Sequence, residues 1–232
     1  DIQDKGGAGF DPVTAADRAA ETAMRDILAT RRPQDSILGE EFGHASGQSG
    51  VRWVLDPIDG TRAFMAGTAT WGVLIAVGDE TGPRYGIVDQ PYTGERFWGG
   101  FGKGGWRGPR GTGTLRTRRT ERLDDAILFT TFPEIGTPAD RAGFKRVADG
   151  ARLVRYGIDC YAYALLAIGQ IDLVIEAGLQ AYDIQAPLAL IEAAGGVVTD
   201  WEGGPASEGG RVIAAANAEL HAQAIGLLRQ AD

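Results

Sequence analysis

The densest chemistry in this chain lies in six consecutive residues, Asp56-Pro57-Ile58-Asp59-Gly60-Thr61. Asp56 and Asp59 bracket a turn that Pro57 stiffens, so both carboxylates and the Ile58 carbonyl can point into one pocket. Hard oxygen donors of this kind suit Mg²⁺, which takes octahedral oxygen coordination, keeps part of its water and favours substrate phosphates. Two carboxylates a few ångströms apart repel by several kcal/mol at an effective dielectric of about 20. Without a cation, one of them tends to keep its proton. Gly60 and Thr61 add backbone N–H groups for an anion and a hydroxyl able to orient water. Glu40-Glu41 and Asp183 supply further carboxylates near the ends of apolar runs. The combination is metal plus phosphate. In a hydrolase of this type one cation lowers the pKa of a water and another stabilises the leaving oxygen, with no activated Ser, Cys or His. The two histidines agree with that: His44 falls in a Gly/Ser-rich loop and His221 on the closing helix.

Positioning these groups requires strands and helices in alternation. The spacing predicts a helix over 15–31, opened by Thr14 and stopped by Pro33, with Asp17 in its first turn. Read alone, Asp17 is a solvated helix carboxylate. A strand over 36–39 leads into Glu40-Glu41, residues 44–50 read as a polar loop, and a strand over 51–55 stops at Asp56-Pro57 because proline cannot continue a ladder. Runs at 71–77, 85–90, 95–99 and 106–107 form an antiparallel set. The second half carries strands at 126–131, 153–156, 172–176, 197–200 and 212–215, with helices at 139–149, 161–168, 185–194 and 218–229. This reading makes Asp183 a cap ahead of its helix, puts Pro187 in the first turn and leaves Glu176 at a strand end. Residues 1–10 read as a polar loop or arm. The expectation is an α/β protein with two lobes meeting near 122–126: an α+β lobe over 1–123 with most of the metal-ligand candidates, and an α/β lobe over 124–232 completing one catalytic unit.

Composition narrows the partners. Lys and Arg number 23 against 31 Asp and Glu, a formal net charge of −8, which argues against a general electrostatic grip on nucleic acid. The arginines from Arg107 to Arg122 read as solvated teeth on a hairpin. No apolar run approaches the roughly 20 residues that cross a bilayer, so no membrane partner is expected. The single cysteine, Cys160, cannot form an internal disulfide, and a cytoplasmic location fits that usage. Cys160 itself reads as a small buried residue at a helix start, and Asp159 before it as a carboxylate paired with an arginine such as Arg155, or as a substrate contact.

In their order along the chain, Asp11-Pro-Val-Thr-Ala-Ala-Asp17, Gly39-Glu-Glu41, Asp56-Pro-Ile-Asp-Gly-Thr61, Tyr182-Asp183-Ile-Gln-Ala186 and Ala194-Gly-Gly-Val-Val-Thr-Asp200 resemble the inositol monophosphatase family of Mg²⁺-dependent, lithium-sensitive phosphatases. The resemblance implies a layered αβαβα sandwich of the inositol monophosphatase/fructose-1,6-bisphosphatase type. It implies two or three Mg²⁺ ions held by Glu40, Asp56, the Ile58 carbonyl, Asp59 and Asp183, with inhibition by lithium. It assigns Thr61, with Asp17 or Glu41 behind it, to the attacking water, and the Gly60 and Thr61 amides to the phosphate. It also implies a homodimer, and a further helix ahead of Asp11, most of which this chain lacks. The finer text, Val88-Asp-Gln-Pro91 with Glu95-Arg96, Tyr156-Gly-Ile-Asp-Cys-Tyr-Ala-Tyr163, Asp172-Leu-Val-Ile-Glu-Ala-Gly178 and Thr199-Asp-Trp-Glu-Gly203, resembles the histidinol-phosphate phosphatase branch. That substrate carries an ammonium and an imidazole, and the resemblance puts Asp159 and Glu176 where their charge would meet them. The implied reaction is hydrolysis of L-histidinol phosphate, a step of histidine biosynthesis. Two alternatives stand beside it: an inositol phosphate or other small sugar phosphate as substrate, and a catalytically silent metal- or phosphate-binding protein.

Overall fold

The computed structural model describes residues 2–4 and 12–230. Asp11, the first residue of the motif that ends at Asp17, lies outside them, as do residues 5–10 of the expected arm. The arm is not all loop: β1 (Ile2–Asp4) pairs antiparallel with β2 (Pro12–Thr14).

The first long helix, α1 (Ala15–Arg31), begins where Thr14 and Asp17 form a capping box and ends at Arg32, ahead of Pro33. Its inward face carries Leu28, which packs with Ile37 and Leu55. It also buries Asp17 and Glu21, so Asp17 is not the solvated carboxylate that it reads as alone. α1 lies against an eight-stranded sheet formed by β3 (Ser36–Gly39), β4 (Gly43–Ala45), β5 (Arg52–Asp59), β6 (Gly72–Asp79), β7 (Gly82–Gln90), β8 (Glu95–Gly100), β9 (Lys103–Gly108) and β10 (Gly111–Thr114). The spatial order is β10-β9-β8-β7-β6-β5-β3-β4, antiparallel except for the β3–β5 pair. Part of the expected 44–50 loop is thus strand, paired with β3.

The expected stop at Pro57 does not occur. β5 runs on to Asp59, with its register to β6 shifting between Asp56 and Asp59. A bulge tolerates proline because the extra residue needs no ladder N–H, and it re-aims the side chains around it. The sequence reads as a strand end because the irregularity, rather than the strand, is what Asp56-Pro57 marks.

On the other face of this sheet lie α4 (Tyr161–Ala167) and α5 (Ala181–Ala193). α5 is buried almost all round, as a helix sandwiched between layers must be. It seats closely on the sheet because Gly86 and Gly99 face it; a Cβ at Gly86 would stand 2.2 Å from the Ala186 carbonyl oxygen. α5 starts four residues earlier than expected, through a capping box between Gln180 and Asp183. Asp183 is therefore the third residue of the helix and not its cap, and Pro187 lies in the interior. The helix ends with Gly195 at φ +90° and with Gly196 N–H donating to the Ile191 carbonyl at 2.9 Å, a left-handed stop.

Beyond α4 and α5 stands a five-stranded sheet of β11 (Ile127–Thr130), β12 (Leu153–Tyr156), β13 (Leu173–Gln180), β14 (Val197–Asp200) and β15 (Gly209–Ala215), in the order β12-β11-β13-β15-β14. α3 (Pro138–Gly150) and α6 (Ala218–Leu228) cover its outer face through Phe144, Val147, Leu220 and Ala224. The short α2 (Thr61–Ala66) follows β5 directly. The layers run helix, sheet, helices, sheet, helices: the αβαβα sandwich. We expect Gly86→Ala to lower stability by about 2 kcal/mol, since backbone faces backbone there and cannot yield. Urea denaturation checks this, and a wild-type midpoint would contradict it.

Candidate active site

The end of β5, the start of α5 and the turn after β3 converge at the centre of the molecule. Asp56, Asp59 and Asp183 each offer an oxygen, and the three atoms lie within 4.8 Å of one another. Asp56 is 1% exposed, and its Oδ1 accepts the Ile58 N–H at 3.1 Å. Burial, with the neighbouring charges of Glu40, Asp59 and Asp183, pushes its pKa well above the ordinary carboxylate range. Burial and the charges of Asp183 and Asp159 do the same to Asp59, partly opposed by Cys160, whose N–H donates to Asp59 Oδ2 at 2.8 Å. Asp183 closes the first turn of α5, its Oδ2 accepting the Gln180 N–H at 2.6 Å. The capping box thus aims the same side chain at the cluster. The donors are carboxylates with a nearby backbone carbonyl at Ile58, all oxygen and electrostatically frustrated, which fits a hard divalent cation.

Glu40 reaches this cluster from the β3–β4 turn, its N–H donating to the Leu55 carbonyl at 3.1 Å. Glu41, next on the same turn, has a buried side chain 4.0 Å from the Arg18 guanidinium on α1. The turn is held by a residue that the sequence reading passed over. Glu21, fully buried, accepts the Glu41 N–H at 2.7 Å and the Phe42 N–H at 3.3 Å while its Oε1 pairs with Arg25 at 2.7 Å. Gly39 allows this approach, since a Cβ there would stand 2.0 Å from Glu21 Oε1. The signal was available: Asp17, Glu21 and Arg25 recur every four residues on the face that also carries Leu28.

Thr61 opens α2 after Gly60, whose φ of +79° is a left-handed conformation that glycine adopts without strain. The Thr61 hydroxyl lies 3.2 Å from the Ile58 carbonyl and 3.5 Å from Asp17 Oδ1. Asp17 is fixed by the Thr14 N–H at 2.9 Å and the Thr14 hydroxyl at 2.5 Å. With its proton directed at either acceptor, Thr61 presents its lone pairs outward.

A second pair of carboxylates stands beside the cluster. Asp159, a non-glycine residue at φ +49°, accepts from Thr70 Oγ1 at 2.5 Å and not from Arg155. Its Cγ would lie 2.9 Å from a Cβ at Gly60, so its carboxylate packs on the Gly60–Thr61 turn. Glu176 is inside β13 and not at a strand end; it accepts from Thr130 Oγ1 at 3.1 Å, the Thr131 N–H at 2.7 Å and Thr131 Oγ1 at 2.9 Å. Burial pushes it up to about 7 against those bonds, with the charge of Asp159 adding to the rise. Thr70, Thr130 and Thr131 carried no sequence signal, because their partners, Asp159 and Glu176, lie 89 and about 45 residues away in the chain. Cys160 is buried with its thiol pushed well above its usual pKa by burial and by Asp59, which makes it packing and not a nucleophile. Among the expected solvated arginines, Arg118 instead meets the buried Asp172 at 3.0 Å. No helix among the described residues is long and apolar enough to cross a membrane.

A carboxylate cluster suited to hard cations, set between the two sheets of an αβαβα sandwich, defines a class of metal-dependent phosphatases. The chain belongs to the inositol monophosphatase family, whose model matches residues 1–232. It is 39% identical over 236 residues to a chloroplastic bifunctional phosphatase of Arabidopsis thaliana, covering 97% of this chain and 67% of that protein. It is 34% identical to the histidinol-phosphatase of Mycobacterium tuberculosis, covering 90% of this chain and 82% of that one. Among solved structures, an inositol monophosphatase from Zymomonas mobilis superposes with a TM-score of 0.84 at 37% identity, covering 97% of this chain and 90% of that chain. The protein is a phosphatase of small phosphorylated substrates, and members of its family use metal ions.

The raised pKa values carry a sign. Asp56 and Asp59 titrate higher folded than unfolded, so between those limits the folded protein binds more protons and metal-free stability falls as pH rises. Asp56→Asn keeps an acceptor for the Ile58 N–H and removes one charge. We expect it to raise metal-free stability near neutral pH by on the order of 1–2 kcal/mol and to abolish stabilisation by added Mg²⁺. Thermal denaturation with and without Mg²⁺ checks both, and a variant that keeps the wild-type Mg²⁺ response would contradict the assignment.

Proposed function

We propose that this chain hydrolyses L-histidinol phosphate to L-histidinol and inorganic phosphate with Mg²⁺ at the buried cluster. The carrying observation is the second pair of carboxylates, Asp159 and Glu176, which burial raises and which stand beside the cation ligands. Buried carboxylates need a positive partner, and a substrate with an ammonium and an imidazole supplies one. A neutral polyol does not. The likeness to a histidinol-phosphatase supports the same reading.

In this proposal Glu40, Asp56, the Ile58 carbonyl, Asp59 and Asp183 would hold two or three Mg²⁺ ions, which would supply a lowered pKa for a water and positive charge for the leaving oxygen. Thr61, its proton turned to Asp17 or the Ile58 carbonyl, accepts a hydrogen bond from the attacking water and fixes its line of approach. The Gly60 and Thr61 amides receive phosphate oxygens. The water oxygen bonds to phosphorus, the ester P–O bond breaks, and the alcohol leaves carrying a proton. Asp159 packs on Gly60, next to the phosphate, so the carbon chain passes it toward Glu176.

The Zymomonas mobilis likeness favours a second reading, an inositol phosphate as substrate at the same site. Phosphate release from the two substrates in parallel separates them. We expect kcat/KM to favour L-histidinol phosphate by tenfold or more, about 1.4 kcal/mol, and Asp159→Asn to remove most of that preference with inositol phosphate turnover little changed. Equal or reversed preference in the wild type would contradict the histidinol assignment.

A further inference from the structure

Asp159 holds a left-handed backbone, φ +49°, and its half-buried carboxylate is set from two sides. Its Oδ2 accepts from Thr70 Oγ1 at 2.5 Å, while its Oδ1 lies on the Gly60 side, 3.3 Å from where a Cβ at Gly60 would stand. Among the described residues, Thr70 is the one hydrogen-bond partner of this carboxylate. A hydroxyl has a single proton and an ionised carboxylate has none to give, so the Thr70 proton is committed to Oδ2. Oδ1 keeps its acceptor positions, beside the turn of Gly60 and Thr61.

The segment that carries Thr70, between α2 and β6, is tied down along its length. At its start Gly67 is left-handed, and the Thr68 N–H donates to the Ala63 carbonyl at 3.0 Å, which closes α2. In its middle the Ala69 carbonyl accepts from Gln90 Nε2 at 2.7 Å, and Gln90, the last residue of β7, is buried. At its end the Trp71 ring meets Phe64 edge-on, with centroids 5.0 Å apart. Gly72 then lets the head of α4 come close, since a Cβ there would stand 2.7 Å from Cys160 Sγ. Cys160 follows Asp159 directly, and its N–H is bonded to Asp59. Thr70 and Asp159 therefore meet with fixed backbone behind each of them. Anchoring of this kind is what a binding group needs to keep one geometry.

We infer that Thr70 is a positioning residue for substrate choice: its hydroxyl, braced by Gln90 through Ala69, holds one oxygen of Asp159 so that the other meets a cationic nitrogen group of a phosphate ester bound at the Gly60–Thr61 turn. A carboxylate with one oxygen already anchored loses less freedom on binding than one free to rotate. The role in substrate choice rests on the histidinol-phosphate reading; the link between Thr70 and Asp159 does not.

The test is Thr70→Val in the Mg²⁺-loaded enzyme, with Thr70→Ser and Gln90→Met beside it. Valine keeps the shape and removes the hydroxyl, whereas serine keeps the hydroxyl. In Thr70→Val, KM for L-histidinol phosphate should rise about tenfold, with kcat unchanged and inositol phosphate kinetics unaffected. Thr70→Ser should restore KM to near the wild-type value, and Gln90→Met should raise it. A wild-type KM in Thr70→Val overturns the inference, and a wild-type KM in Gln90→Met overturns the brace. Equal loss on both substrates, or a serine variant no better than valine, also overturns it, by making the residue one of packing. If the wild type does not turn over L-histidinol phosphate, the substrate reading fails, and urea denaturation of Thr70→Val, Asp159→Ala and the double variant decides the link. Midpoint shifts that do not add uphold it, and additive shifts overturn it whatever the substrate is.

Discussion

Carboxylates that repel one another, held together away from water, set the terms for the rest of this structure. At the 4.8 Å that spans the oxygens of Asp56, Asp59 and Asp183, two unit charges repel by roughly 3 kcal/mol at an effective dielectric of about 20. Glu40 adds its charge to Asp56, and Asp159 adds its charge to Asp59. Such a group neither forms by default nor persists unless its backbone is fixed from several sides. The fold supplies those fixings before any cation does.

Each carboxylate is aimed by a bond to backbone N–H from a different element. Ile58, within the bulge of β5, orients Asp56; Cys160, at the head of α4, orients Asp59; Gln180, at the end of β13, orients Asp183. Glu21 holds the turn that carries Glu40, and Gly39 leaves it the space to do so. Depth follows from α5, which lies flat on the first sheet over Gly86 and Gly99 and brings Asp183 to the end of β5. The same sandwich sets the second sheet behind α4, so that Glu176 on β13 stands near Asp159, which packs on Gly60. In the proposed function, cation binding and substrate recognition are thereby divided between carboxylates on different elements.

What was legible in the sequence was local. Asp56-Pro57-Ile58-Asp59-Gly60-Thr61 carries its meaning in spacing alone, and α1, with its cap, its apolar stripe and the proline after it, matches its expected bounds. The αβαβα layering followed from the alternation of elements together with the family resemblance. The errors share a physical origin. Asp183 and Pro187 were misplaced because proline usually marks a helix start, whereas here the capping box of Gln180 and Asp183 nucleates the helix and burial between two sheets holds it despite the missing N–H. Asp17 reads as a surface carboxylate only when taken alone, because Thr61, its long-range partner, is far away in the chain; the resemblance placed it in the site. Thr70 and the Thr130–Thr131 pair escaped notice because their partners are likewise distant in the chain. Hydrogen bonds between elements leave no periodic trace in a sequence.

The central claim is that the cluster is a cation site whose carboxylates hold protons until a divalent ion displaces them. Calorimetric titration of the metal-free protein with Mg²⁺ near neutral pH, in two buffers of different ionisation enthalpy, measures this directly. The account predicts saturable binding whose heat depends on the buffer, with net release of protons that grows as the pH is lowered. Mg²⁺ binding with the same heat in both buffers, or no binding, would contradict it.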